Sequence, residues 1–540
     1  MVKSKAILGL AMAGGVLAGT LQLSGTPVLA KNEARIFHEE SVNGKLSYIG
    51  NYQTGMSNKD GGIAEIVKYN KDNQKMYLVN GAAQSVDIVS IADITSNKKT
   101  EFKIDTRLDI TAMGQAYGFA SGDITSIDIN TNEKIIAIAV QGATYKDHGS
   151  IVILNFEGKY IKHFEAGVQP DMVTFSQDYK YLLSANEGEP REGYATAAGA
   201  MDPKGSITII DIKKGVEKAT AQTIGFDKFD SKEARAALVE NGVLLKPNTA
   251  PSVDIEPEYI SVSDNNHYAY VSLQEANSVA TIDLKTQEIV SVKGLGFKDH
   301  NIEENALDAL KDGQVNLTTQ NLYGTYMPDG IATQKIGGKQ YIFTANEGDG
   351  REWGEYKDTG SYKFPGTSYK IDTLLNAERD GLESDKTYLY GSRSFSIWDA
   401  DKMEQVYDSG SEFEKITGEL YPEAFNSSNN KTELDSRSGK KGPEPEDIKV
   451  MKINGKTFAF IGLERTGGIM MYDVTNMQNV KFHDYVNLRD FTGTDVVSSG
   501  DLAPEGLCLV EAKDSPTGKP LMLVANEVSG NVRVFEINEK

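Results

Sequence analysis

The chain has 540 residues, 25% of them charged and 39% hydrophobic, and carries a formal net charge of −21 at pH 7. That acidity excludes nucleic acid and anionic membrane as natural partners and favours cations. With 52 Gly, 25 Tyr and a single Cys, the composition points to many short strands and tight turns and rules out an internal disulfide framework.

At the N-terminus, Lys3 and Lys5 precede an apolar, Gly-rich segment from Ala6 to about Leu23. Val28-Leu29-Ala30 then presents the small or apolar residues that a signal peptidase reads. Residues 1–30 are therefore read as an export signal, and residues 31–540 as a single domain. No Cys follows the apolar segment, which excludes a lipoprotein, and the run from Phe535 to Lys540 carries no anchor. The expectation is a secreted protein, released or held loosely at the cell surface, with no transmembrane anchor.

From there the chain is a repeat. Each unit has a residue, usually acidic, opening an apolar strand, then a short turn, a second apolar strand and a third strand. The first unit pairs Glu65-Ile66-Val67 with a strand ending at Gly81, and the second has SIDI and a strand ending at Gln141. In the third, Pro170-Asp171 opens MVTF, YLLSANE closes at Glu187 and GSITIIDI follows. The fourth runs from Pro257-Glu258 to Glu275, the fifth from Pro328-Asp329 to Glu347, the sixth from Pro445-Glu446 to Glu464, and the seventh from Pro504-Glu505 to Glu527.

Seven units of short alternating strands with irregular loop lengths predict an all-β fold, a seven-bladed β-propeller with loop insertions. The run Lys45 to Tyr52 precedes the first unit with nothing local to pair, and is expected to close the ring against the last. Ser231 to Gly242 reads as a short helix with Ser231 as its N-cap. Residues 348–444 form the largest insertion, an excursion that includes the strands LYGSRSFSIWDA and QVYDSG. Cys508 falls inside an apolar strand and is expected to pack there.

In a four-stranded blade the start of the first strand and the end of the second lie at the same end of the central channel. This brings together Asp171 with Glu187, Glu258 with Glu275, Asp329 with Glu347, Glu446 with Glu464, and Glu505 with Glu527. Like charges packed so closely need protonation, bound cations or basic neighbours. Arg191, Arg351 and Arg465, each a few residues after a strand-ending Glu, are candidate neighbours. The ten carboxylates are candidate metal ligands, and an all-oxygen set suits Ca²⁺ first, with Mg²⁺ or Mn²⁺ as alternatives. The competing reading is that they cap turns. Asn186, Asn346 and Asn526 point to the opposite strand face and are expected to stabilise their own turns. The six His are scattered, so zinc and Ser-His-Asp chemistry have no support.

The strings PDMVTFSQDYKYLLSANEGEPREGY, YVSLQEANSVATID, GSRSFSIWDA, KGPEPEDI, GLERTGGIMMYDV, LAPEGL and LVANEVSGNVRVFEI closely resemble the bacterial choice-of-anchor I proteins. That family is similar to animal mesenchyme-specific cell-surface glycoproteins linked to biomineralisation. Its bacterial members are often labelled alkaline phosphatases, and the acidic mouth looks like those of calcium-dependent phytases. Members commonly carry an Asp pair before the KGPEPE string, where this chain has Ser436 to Lys441.

Two functions follow. In one, the mouth binds a divalent ion that activates water against a phosphoester, with Glu446 or Glu505 as general base and Arg191 or Arg351 steadying phosphate oxygens. In the other, the same carboxylates hold structural or mineral calcium in a non-catalytic extracellular binding module.

Overall fold

Short apolar runs punctuated by Asn, Asp and Gly leave the chain few options besides tight antiparallel hairpins. The computed structural model describes residues 41–540 apart from 97, 120, 195–200 and 540. The export signal expected at 1–30 lies outside the described residues.

The fold is all-β and mostly sheet. Among the described residues there are seven sheets of at least four strands, and in chain order each begins with the strand that opens one repeat. Those opening strands are Val67–Asn70, Ile124–Asn130, Pro170–Phe175, Ile260–Val262, Ile331–Ile336, Pro445–Ile453 and Pro504–Val510. Each pairs antiparallel with the next strand in its sheet; in the third sheet, for example, Val173 faces Ser184.

The strand Leu46–Gln53 does join the last sheet, running antiparallel to Asn531–Ile537 with Leu46 opposite Ile537 and Gln53 opposite Asn531. Thr100–Phe102, from the first unit, adds to it in parallel as a fifth strand. The opening strand of every sheet contacts that of the next, and the seventh contacts the first.

Packing follows the same order. The cluster around Leu183 and Val271 joins the third sheet to the fourth, and that around Leu521, Leu523 and Leu78 joins the seventh to the first. Five further clusters do the same for the remaining neighbouring pairs. Because inner strands are covered on both faces, Ile135–Val140 is buried throughout and shows no alternation. Each fully buried Val, Leu or Ile contributes roughly 1.5–3 kcal/mol. The fourth strands lie at the rim, and Thr220–Gly225 is largely exposed.

The helix expected after the third sheet spans Lys232–Glu240, and Ser231 Oγ accepts from the Ala234 N–H at 3.1 Å. The stretch 348–444 is divided in its structure. Phe395–Asp399 and Glu404–Asp408 are the third and fourth strands of the fifth sheet, so the excursion splits into one piece before them and one after. The later piece carries the helix Glu412–Leu420. Cys508 is half-buried against the cluster joining the seventh and first sheets, with a free thiol. No helix among the described residues is long and apolar enough to cross a membrane.

Candidate functional site

The geometry of the acidic groups begins one residue before the prolines. Gln169, Met327, Glu444 and Ala503 immediately precede Pro170, Pro328, Pro445 and Pro504, and all four have positive φ, between 43° and 58°. A residue before proline ordinarily takes extended backbone, so this repeated departure is held by the surroundings. It turns three of the carbonyls towards the end of the second strand. Gln169 O accepts from Glu187 N at 3.0 Å, Glu444 O from Glu464 N at 2.8 Å and Ala503 O from Glu527 N at 2.9 Å. The register then slips at Asp171, at Glu446-Asp447 and at Glu505. A bulge re-aims the side chain it carries, and here it turns the opening acid beside the strand-ending one.

Two of the expected pairs, Asp171 with Glu187 and Asp329 with Glu347, are neighbours, and the opening acid of the next sheet joins each. Asp171, Glu187 and Glu258 can bring one oxygen each within 4.8 Å of the others, and so can Asp329, Glu347 and Glu446. Glu446 is 6% exposed, and its Oε2 has no hydrogen-bond partner. Burial, then the charges of Glu347, Glu505, Asp329 and Glu464, push its carboxyl well above the usual range. Glu505 is raised likewise by burial and by Glu527, Asp329, Glu464 and Glu65. Glu275, at the fourth sheet, is raised to about 7, chiefly by burial.

Glycine makes room where the ring meets the first sheet. Gly62 N donates to Glu527 Oε2 at 2.9 Å, and a Cβ on Gly61, whose φ is +82°, would lie 2.1 Å from that same oxygen.

Basic groups neutralise part of the ring. Arg191 Nη2 lies 3.3 Å from Glu187 Oε2 and its Nε 2.9 Å from Glu189 Oε2. Arg465 bonds Glu464 Oε1 at 3.1 Å and Glu444 Oε2 at 3.0 Å. Arg351 opposes by its charge the effect of burial on Glu275, but its closest carboxylates are others. It is 1% exposed, and its guanidinium faces Asp254 at 3.5 Å, Glu256 at 3.4 Å and Asp358 at 3.9 Å. Asp358 in turn pairs with Arg379 Nη2 at 2.5 Å. Above this buried network Tyr194 and Tyr356 meet edge-on at 4.7 Å, with Lys246 Nζ over both rings.

A third carboxylate group, Glu347, Glu444 and Glu464, lies beside the second and shares Glu347 with it. Lys441 Nζ sits within it, 2.6 Å from Glu347 Oε1 and 3.1 Å from Glu444 Oε2. Burial opposes the charge of Glu444, yet Arg437, Lys441 and Arg465 prevail and hold its carboxyl well below the usual range. Burial raises Glu464 to about 8 against the pull of Arg465. Sequence reasoning missed Glu444, Glu256 and Lys441. A signal existed for the first two, since Glu256-Pro257-Glu258 and Glu444-Pro445-Glu446 share one pattern.

Of the expected turn-stabilising residues, Asn186 Nδ2 donates to Thr208 Oγ1 at 3.1 Å and Asn346 Nδ2 to Ser396 Oγ at 2.8 Å. Both side chains point into their own sheets, as strand alternation requires.

Among known proteins, the chain is 36% identical over 179 residues to Gigasin-3a of Magallana gigas, a match covering 31% of this chain. It spans 63% of that relative's length. Among solved structures, Kuenenia stuttgartiensis hydrazine synthase is similar over 90% of this chain and 99% of its own, at 11% identity and a TM-score of 0.46. The Cps50 (Swd1) beta-propeller domain of Myceliophteria thermophila covers 88% of this chain and 97% of its own, at 6% identity and a TM-score of 0.42. At those scores the structural likenesses carry no argument. The model of the choice-of-anchor I domain matches residues 65–477, most of the chain, and carries the motifs of six of the seven repeats. This protein belongs to the choice-of-anchor I domain family.

Proposed function

We propose that this chain is a seven-bladed β-propeller of the cell exterior or surface whose acidic channel mouth binds a divalent cation, Ca²⁺ first, through Asp329, Glu347 and Glu446. Seven sheets, seven clusters between neighbouring sheets and the contact of the last opening strand with the first support the ring. The family supports the exterior location, as does the apolar N-terminal segment after Lys3 and Lys5.

One observation carries the cation. Glu446 Oε2 is buried, has no hydrogen-bond partner, and belongs to a group of three carboxylates whose oxygens lie within 4.8 Å of one another. A buried carboxylate oxygen without a donor carries a desolvation cost that a proton or a metal ion relieves. Carboxylate oxygens from two sheets suit Ca²⁺, which accepts irregular all-oxygen shells. Asp171, Glu187 and Glu258 form a like group one sheet pair away, with Arg191 already beside Glu187.

The geometry favours binding over phosphoester hydrolysis. Arg351, one of the two candidate phosphate holders, is 1% exposed and shared among three carboxylates. Arg191 is already paired with Glu187 and Glu189.

The test is a calorimetric titration of chelator-treated protein with CaCl₂, MgCl₂ and MnCl₂, beside thermal melts and assays on a phosphomonoester and phytate. Saturable Ca²⁺ binding that raises Tm and is lost in Glu446→Gln is the expected result. No binding of any ion would return the ring to turn capping and internal ion pairs. Ion-dependent hydrolysis lost in Glu446→Gln or Glu505→Gln would add catalysis to the same site.

A further inference from the structure

The ammonium of Lys441 is surrounded as a metal ion would be. Its Nζ donates to Glu347 Oε1 at 2.6 Å and to the Gly348 carbonyl at 2.6 Å, and lies 3.1 Å from Glu444 Oε2. An ammonium has three donors, and two of them go to Glu347 and the Gly348 carbonyl. The side chain is 7% exposed, so the charge is held out of bulk water. The oxygens come from segments far apart in sequence, and Glu347, Glu444 and Glu464 each bring one within 4.8 Å of the others.

We infer that Lys441 is a tethered cation: its ammonium fills a cation cage made by Glu347, Glu444, Glu464 and the Gly348 carbonyl, and keeps a divalent ion out of it. The neighbouring group of Asp329, Glu347 and Glu446 rests on the reading proposed above, and it shares Glu347 with this cage. Glu347 is fixed from both sides, by Lys441 on Oε1 and by Gln274 Nε2 on Oε2 at 2.8 Å. Lys441 therefore does two things. It supplies one permanent positive charge where a second Ca²⁺ would otherwise sit, and it orients the carboxylate that both groups use.

Arg465 and Arg437 complete the cage from the Glu444 side, Arg465 at 3.0 Å and Arg437 in a close pair. Together with Lys441 they set three basic groups around Glu347, Glu444 and Glu464. Neutralising Lys441 takes away the ammonium that Glu347 and the Gly348 carbonyl share, a state that a divalent cation relieves.

The experiment compares chelator-treated wild type with Lys441→Gln by calorimetric titration with CaCl₂ and by thermal melts with and without the ion. One additional equivalent of Ca²⁺ bound by the variant, with a larger rise in Tm than wild type, is the expected result. An unchanged stoichiometry in a variant that folds would overturn the inference while leaving wild-type binding intact. Binding by the variant alone would uphold it and sink the wild-type site at Asp329, Glu347 and Glu446. If neither protein binds, both ideas fall. Should Lys441→Gln not fold without the ion, refolding in CaCl₂ is expected to recover it where KCl of equal ionic strength does not. Failure to recover in CaCl₂ also overturns the inference.

Discussion

The Tyr52 hydroxyl donates to Asp87 Oδ2 at 2.7 Å, tying the strand borrowed by the seventh sheet to the first sheet. Asp87 is fully buried and also accepts from Arg107 Nε at 2.6 Å and Nη2 at 2.7 Å. Tyr52→Phe keeps the ring packing and Arg107, and removes one hydrogen bond to a charged acceptor. A loss of about 1.5–3 kcal/mol in urea unfolding is expected. A loss near zero would mean that Arg107 alone satisfies Asp87.

Arg351→Met should cost more. It leaves Asp254 and Glu256, both buried, without the guanidinium that faces them at 3.5 and 3.4 Å. Breaking a buried ion network from one side typically costs about 3–5 kcal/mol. Arg351→Lys is expected to recover little, since one ammonium cannot span carboxylates on several sides. Chemical denaturation of the two variants measures both, and full stability in Arg351→Met would assign the neutralisation to Arg379.

Stability should fall as pH rises in protein stripped of divalent ions. Burial raises Glu275 to about 7, Glu464 to about 8 and Asp308 to about 8 in the folded chain. Unfolded, such carboxyls titrate near ~4. Between those values the folded state holds more protons than the unfolded one, so stability is lost as pH climbs from about 4 towards 8. Glu444 acts oppositely: held low by its basic neighbours, it contributes stability that is lost in acid, as pH falls below the ordinary Glu range of about 4.3. Thermal melts across that range, with chelator and with Ca²⁺, check this. The downward slope should flatten with the ion, and a slope unaffected by it would detach these carboxyls from any ion site.

Ion binding should also release protons. Glu446 holds its proton tightly because it is buried beside Glu347, Glu505 and Asp329, and a metal ion must displace it. Calorimetry near neutral pH in buffers of different ionisation enthalpy should detect up to about one proton per ion, with affinity increasing at higher pH. In Glu446→Gln the release should vanish along with most of the binding.

The repeat, the helix capped by Ser231 and the strand added to the last sheet were all legible in the sequence, because each rests on a local signal of apolar alternation or turn chemistry. The fourth strands were hidden, since strands such as Thr220–Gly225 lie at an exposed rim and need no apolar pattern. Phe395–Asp399 looked like part of an excursion because a long insertion separates it from Lys339–Ala345, the strand it pairs with. Among the acids, spacing suggested that Asp171 meets Glu187 and Asp329 meets Glu347, and among the bases that Arg191 and Arg465 meet Glu187 and Glu464, but it did not suggest the rest. Arg351 follows Glu347 closely in sequence yet faces Asp254 and Glu256, whereas Lys441, distant in sequence, reaches Glu347. The left-handed residues before the prolines run against the local rule, so only the folded chain could reveal them.

The pairing of Leu46 with Ile537 also sets an order of events. A strand made near the start of synthesis has no partner until the end of the chain arrives, so six sheets can form while the seventh waits. During that interval the early strand and the unfinished sheet both offer open edges to other chains. Contacts this distant in sequence form slowly. The pairing of these two strands is therefore a late step, and until it forms both partners keep an edge open.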